Sequence, residues 1–349
     1  MTAAEQPGQL LFVGFDGLDV PDDLGSLVAQ GRVGGVVLFA RNIESPQQLR
    51  ALADDLHARA PDDCPLTVAI DQEGGRVQRC RSPWTEWPPM RRLGERRGVA
   101  DTEAVARALG RELADLRVDL DFAPCVDVDG GPEQAIIGDR SFSRDPHVVA
   151  RHGAAFIAAL EGAGVAACAK HFPGHGDTAI DSHVELPRLE RDLERLRAVE
   201  LVPFAAAARA GVASVMTAHI VLPALDPELP STLCPAAIAL LRDEIGFEGL
   251  VFGDDLEMKA VADHFSPEEL TRGALGAGVD SLLVCRSRAL RDGVLAVLET
   301  LPDAALEASL RRMARFKARY SGGRRASGAG PPYDDHVAFA RQLGGGSAA

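Results

Sequence analysis

The stretch GVAACAKHFPGHGDT, residues 164–178, carries the pattern on which the fold turns. Its first part, Val165–Ala169, is a short continuous apolar run without the alternation of a half-exposed strand. Such a run suits a strand covered on both faces, as in a parallel sheet. It leads directly into Lys170 and His171 and then into a loop punctuated by glycine and proline. Comparable runs lie at Leu10–Phe15, Gly35–Phe39, Leu66–Ile70, Leu120–Ala123, Ala213–Met216, Leu250–Phe252 and Ser281–Cys285. Between them are helical patterns with clear starts. Ser45-Pro46 reads as an N-cap followed by proline at the first helical position, and Ser266-Pro267-Glu268-Glu269 as a capping box. Strands alternating with helices over about 280 residues predict an α/β fold, a (β/α)8 TIM barrel rather than a six-stranded open sheet. A single catalytic domain is expected over residues 1–320. A Gly/Pro-rich tail, 321–349, would follow as a linker with a short docking helix at Asp335–Leu343.

Polar residues crowd the ends of these runs: Asp16, Arg41, Asp71, Asp127, Lys170-His171, His219, Asp254 and Arg286. In a barrel they all face the C-terminal mouth, where barrel active sites are built; an open sheet offers one or two strand ends at its switch point.

Composition narrows the classes. The 349 residues carry 37 Lys+Arg against 51 Asp+Glu, a formal charge of -14, and are 46% hydrophobic. These are the proportions of a globular protein, and a net acidic chain lacks the basic stripe of a nucleic-acid or anionic-membrane binder. Only Lys170, Lys259 and Lys317 are lysines. No apolar stretch approaches the ~18 residues of a membrane span, and the N-terminus has no signal-peptide pattern. Cys64, Cys80, Cys125, Cys168, Cys234 and Cys285 form no CxxC pair and read as reduced core thiols of a cytoplasmic protein.

The chemistry concentrates in four segments. In Lys170–Thr178, followed by Asp181-Ser182-His183, three of the nine histidines fall within thirteen residues. The Asp181-x-His183 spacing lets a carboxylate orient an imidazole and raise its basicity, as a histidine acid/base needs. In Gly253-Asp254-Asp255-Leu256, adjacent acids point to opposite sides of the strand direction. One can enter the site, as nucleophile or metal ligand, while the other anchors the loop. Asp71–Arg79, DQEGGRVQR, combines an acid, two glycines that permit close approach, and arginines suited to hydroxyl or carbonyl oxygens. Ile137–Phe142 adds Arg140. The sequence has no phosphate-binding GxxxxGK[ST], no GxGxxG after a strand, no HExxH and no GxSxG elbow. Open at this point are a metal-dependent hydrolase barrel using His171, His175, His183, His219 and Asp254, and a sugar-binding barrel without activity.

Taken together, DQEGGRVQR (71–79), GDRSF (138–142), KHFPGHGDT (170–178) with Asp181–His183, MTAH (216–219) and GDDLEM (253–258) resemble family 3 glycoside hydrolases. The resemblance spans about residues 10–290 and is to the single-domain bacterial β-N-acetylglucosaminidases of peptidoglycan recycling. It implies a (β/α)8 barrel that hydrolyses terminal, non-reducing N-acetylglucosamine with retention. Asp254 would be the nucleophile and His183, oriented by Asp181, the acid/base. Asp71, Arg79, Arg140, Lys170 and His171 would bind the sugar. No metal or cofactor is implied; the partner would be a carbohydrate, the enzyme a monomer. A phosphorolytic variant stays open, since a histidine acid/base tolerates anionic phosphate better than a carboxylate would. With few aromatics, stacking would fall to Trp84, Trp87, Phe142 or Phe172, and Arg76 would join the cationic site.

Overall fold

The computed structural model describes residues 5–96, 98–131, 136–177, 186–323 and 330–344. Ten strands occur there: β1 (Leu11–Val13), β2 (Gly35–Leu38), β3 (Thr67–Ile70), β4 (Gln72–Gly74), β5 (Val77–Gln78), β6 (Leu120–Asp121), β7 (Ala166–Phe172), β8 (Ser214–Thr217), β9 (Leu250–Asp255) and β10 (Ser281–Val284). Eight of them close into a parallel barrel in the order β1-β10-β9-β8-β7-β6-β3-β2. Each of the eight apolar runs supplies one barrel strand, so the (β/α)8 expectation stands. Strands β4 and β5 form a separate antiparallel hairpin, which the sequence pattern did not reveal.

Two strands run further than their apolar stretches. Strand β7 continues through Lys170, His171 and Phe172, and β9 through Gly253, Asp254 and Asp255. Neighbouring backbone holds these polar ends in place: Val126 N–H donates to Lys170 O at 2.8 Å, Ala218 N–H to Phe172 O at 2.7 Å. Apolar character marks where a strand is buried in the core. It does not mark where the ladder of backbone hydrogen bonds stops. Strand β6 is shorter than its run because Pro124 lacks an N–H, although Phe122 N–H still reaches Ile70 O at 2.8 Å.

The barrel interior is filled by side chains rather than open. Phe252 lies edge-to-face with Phe12 at 5.0 Å and with Phe122 at 5.5 Å between ring centroids, a favoured aromatic arrangement. At the N-terminal end the helix Asp303–Tyr320 closes the floor. It adds Leu306, Met313, Phe316 and Tyr320 to the interior cluster. Its Arg312 and the distant Arg242 both grip the buried Asp280, at 3.0 and 2.6 Å. Beyond the helix, Ser321 Oγ meets Thr67 Oγ1 at 2.6 Å and Gly323 N–H donates to Asp119 at 2.8 Å, so residues 321–323 are tied to the floor.

A helix at Asp334–Gln342 packs against the outside of the barrel. Trp87 meets its His336 and Phe339 rings at 5.9 and 6.5 Å, and His336 Nδ1 lies 2.7 Å from Glu112. All six cysteines are buried and free.

Candidate active site

Strand ends and the β4–β5 hairpin meet at the C-terminal mouth around a cavity of about 220 Å³. Asp71, Arg79, Arg140, Lys170, His171 and Asp254 all line it, with Phe39, Phe122, Met216 and Met258 among its apolar walls. Six of the eight residues singled out from the sequence therefore converge on one space. Asp181 and His183 lie outside the described residues.

Side chains two apart on an extended segment share a face, which puts Asp71 and Glu73 on one side. Both serve the Lys170 ammonium, at 2.8 Å to Asp71 Oδ1 and 2.7 Å to Glu73 Oε1. Arg140 grips Glu73 in a bidentate fork at 2.7 and 2.9 Å, and Arg79 donates to Asp71 Oδ2 at 3.1 Å. Burial alone would raise both acids. The cations outweigh it: Arg140 and Lys170 hold Glu73 far below the usual carboxylate range, and Lys170 and Arg79 hold Asp71 low. Burial would likewise deprotonate Lys170, but Asp71 and Glu73 push its pKa well up. The result is an ionised ring at neutral pH. Lys170 has three N–H groups; among the described residues the two acids occupy two of them, leaving the third without a described partner. Glu73, nearly fully buried, organises the ring and was not singled out from the sequence. Its spacing of two from Asp71 was the available signal.

Next to this ring stands His171. Its Nδ1 is 2.7 Å from Asp127 Oδ2 and its Nε2 is 3.3 Å from Arg140 Nη2. Asp127 also accepts the His175 N–H at 2.7 Å and the His171 N–H at 3.2 Å. Burial would raise this acid too, but His171, His175 and these backbone bonds hold it well below the usual range. An ionised Asp127 accepts a hydrogen bond from His171 Nδ1, which leaves Nε2 facing Arg140. Gly176 lets the following loop pass close over the neighbouring segment: a Cβ there would stand 1.9 Å from Val128 O.

At the far side, the two acids of β9 divide their work. Asp255 Oδ1 accepts the backbone N–H groups of Glu257 at 3.1 Å and Cys285 at 3.2 Å, tying β9 to the end of β10. Burial pushes its pKa to about 7 despite the Glu257 N–H, with the Glu257 and Asp254 charges adding to the rise. Asp254 bonds only the Asp255 N–H, at 2.8 Å, among the described hydrogen bonds. Its carboxylate is thus the freer of the two.

Several readings need correction. Trp84, Trp87, Phe142 and Phe172 are buried in the core, so none offers a face to a ligand. The aromatic side chains at the cavity are Phe39, beneath the Arg41 and Arg79 guanidiniums at 4.3 and 5.5 Å, and Phe122. Arg76 does not join the cationic ring. It turns outward to Asp139, at 3.4 Å, and to the Ile137 carbonyl, at 3.0 Å, bracing the loop that delivers Arg140. Gly74 and Gly75 serve the hairpin rather than a ligand. Both have positive φ, and a Cβ on either would stand 2.7 Å from Pro88 O or Pro89 Cβ.

Among the described residues the arrangement also weighs against the metal reading. His219 is held by Thr232 Oγ1 at 2.8 Å and the Asp255 carbonyl at 3.1 Å, and is not part of the cavity wall. The one cluster close enough to share an ion is Cys125, Asp127 and His171, whose Asp127 is already occupied by backbone and imidazole donors.

A ring of fixed donors and acceptors beside a carboxylate with one described hydrogen bond is suited to holding a polyhydroxylated ligand. Residues 2–316 match the glycosyl hydrolase family 3 N-terminal domain. The chain belongs to glycosyl hydrolase family 3. It is 42% identical over 304 residues to the beta-hexosaminidase of Alkalilimnicola ehrlichii, covering 84% of each chain. It is also 42% identical over 303 residues to that of Thiobacillus denitrificans, 85% of this chain and 84% of that one. Among solved structures, a family 3 beta-N-acetylglucosaminidase from Paenibacillus superposes with a TM-score of 0.92 at 35% identity, over 98% of this chain and 68% of that one. NagZ from Neisseria gonorrhoeae, in complex with N-trifluoroacetyl-D-glucosamine, gives 0.83 at 32%, over 97% and 98%. With that membership this chain is a glycosidase, in the β-hexosaminidase branch of the family.

Proposed function

We propose that this glycosidase removes terminal, non-reducing β-linked N-acetylglucosamine with retention, and that its substrates are peptidoglycan fragments. The observation that carries the reading is Asp254, a carboxylate with a single described hydrogen bond, facing the cavity ringed by Asp71, Arg79, Arg140, Lys170 and His171. The N-trifluoroacetyl-D-glucosamine complex of the similar NagZ supports a hexosamine in this space.

In this mechanism an Asp254 oxygen attacks the anomeric carbon as the glycosidic C–O bond breaks. The leaving oxygen takes a proton from the His183 imidazolium, which Asp181 orients. Water then gives one of its own protons to neutral His183 while its oxygen displaces Asp254 from the sugar. Retaining hydrolysis normally uses two carboxyls. Replacing one by imidazole leaves the resting base neutral and removes one negative charge from a site already rich in acids. Asp71 and the third Lys170 N–H fix ring hydroxyls, and Arg140 with His171 completes that side. We infer a cytoplasmic, monomeric enzyme; no described helix is long and apolar enough to cross a membrane.

The decisive test is to trap the glycosyl-enzyme with a fluorinated N-acetylglucosamine analogue and map the labelled peptide. Label on Asp254 supports the mechanism. Label on Asp255, or none during measurable turnover, overturns it. Asp254→Ala is expected to lower kcat by a factor on the order of 10⁴ while leaving the fold intact by circular dichroism.

A further inference from the structure

Strand β6 ends in Asp121, in register with Ile70, the residue before Asp71. The Asp121 carboxyl is fully buried behind the cationic ring. Its Oδ1 accepts the Gln72 N–H at 2.8 Å, and Gln72 sits between the two acids that share Lys170. Its Oδ2 is buried without a hydrogen-bond partner among the described residues. The charged and titratable groups facing it come from every neighbouring element: Asp71 at the end of β3, Glu73 on β4, Cys80 after the hairpin and Lys170 on β7. Asp121 is thus a third carboxyl within the electrostatic reach of Lys170, whose direct bonds go to Asp71 and Glu73.

An ionised carboxylate with one N–H donor and no water-facing surface is expensive to maintain. Burial raises the Asp121 pKa to about 8; the Gln72 N–H and Lys170 oppose the rise, and the Asp71 and Glu73 charges add to it. The uncharged acid is thus the resting form at neutral pH.

We propose that Asp121 is a positioning residue for sugar binding, held as the neutral acid so that the third N–H of Lys170 stays available to the sugar. When Asp121 loses its proton to solvent, a third negative charge stands near Asp71 and Glu73 and draws on the Lys170 charge that would otherwise serve the sugar. Binding weakens; the chemistry at Asp254, on the other side of the cavity, is not directly touched. This rests on the sugar-site reading above.

The test is the pH dependence of KM and kcat for an aryl N-acetyl-β-glucosaminide, in wild type and Asp121→Asn. Asparagine keeps the shape and cannot ionise. For the wild type, KM is expected to rise above about pH 8, approaching tenfold per pH unit, independently of any fall in kcat. In Asp121→Asn that rise is expected to vanish. A second measurement needs no variant: calorimetry of N-acetylglucosamine binding to wild type, in buffers of differing ionisation enthalpy. Near pH 9 binding should take up one proton, and near pH 6 none of this origin. A KM profile unchanged by Asp121→Asn, or no extra proton uptake near pH 9, overturns the proposal. A wild-type enzyme that hydrolyses no aryl N-acetylhexosaminide at any pH overturns the sugar-site reading, and this proposal with it.

Discussion

At the scale of single residues, Lys170 shows why an arginine-rich protein keeps a lysine. Its ammonium is a compact point charge shared between Asp71 Oδ1 and Glu73 Oε1 inside a packed strand end. A planar guanidinium needs more room and presents its donors in a fixed fork. Lys170→Arg is expected to raise KM by at least about tenfold, the loss of one charge-assisted hydrogen bond. Steady-state kinetics alongside a thermal melt checks it; an unchanged KM would mean that Lys170 does not touch substrate. Much of this ring was legible beforehand. Asp71, Arg79, Arg140, Lys170, His171 and Asp254 are polar residues at the ends of apolar runs or in motifs, and barrel topology brings such ends together. Glu73 and Asp121 were not, because their importance comes from burial. A buried acid and an exposed one look the same in a sequence.

Elements were read well in their cores and less well at their ends. The eight barrel strands follow from apolar runs, but the polar extensions of β7 and β9 follow from the register of their neighbours, a property of the assembled sheet. The β4–β5 hairpin escaped notice because its two strands are short and its glycines looked like a ligand-approach loop. Behind that hairpin, Trp87 and Thr85 lean on Glu112 and the helix Asp334–Gln342. Removing residues 331–349 would expose Trp87 and the underside of the segment that holds Arg79 in place. The expected outcome is a melting temperature lower by roughly 3–4 °C, from about 2–3 kcal/mol of lost apolar burial. Differential scanning calorimetry of the truncated chain checks this. An unchanged midpoint would leave the tail helix without a stabilising role.

For the whole molecule, the net charge of -14 says little about where function lies. Cations gather at the barrel mouth, and burial pushes three acids toward the uncharged form. Asp119 and Asp255 are raised to about 7 and Asp121 to about 8, chiefly by burial. A carboxyl whose folded pKa lies above its unfolded value binds a proton more tightly in the native state. Its stabilising contribution is complete below about pH 4 and is lost as pH rises through about 7 to 8. Asp71, Glu73 and Asp127 shift the other way, so their contribution is lost only as the solution becomes more acid than about pH 4. His57 and His175, lowered chiefly by burial, oppose the first trend below about pH 6.5. Stability is expected to peak on the acid side of neutrality and to fall toward pH 8. Thermal melts across that range check it. Asp119→Asn should show a shallower fall than wild type whatever its absolute stability, and an equal slope would contradict the assignment.

The closure of the barrel also sets the timing of its assembly on the ribosome. Leu11 pairs with Leu282, so the first strand made is bonded along one edge by the last. Until the chain has been synthesised past Val284, β1 and β9 present open edges with unpaired backbone groups, the kind of surface on which nascent chains stick together. The floor helix that plugs the interior emerges later still. Chains stalled before about residue 285 should therefore depend on chaperones far more than the finished enzyme does.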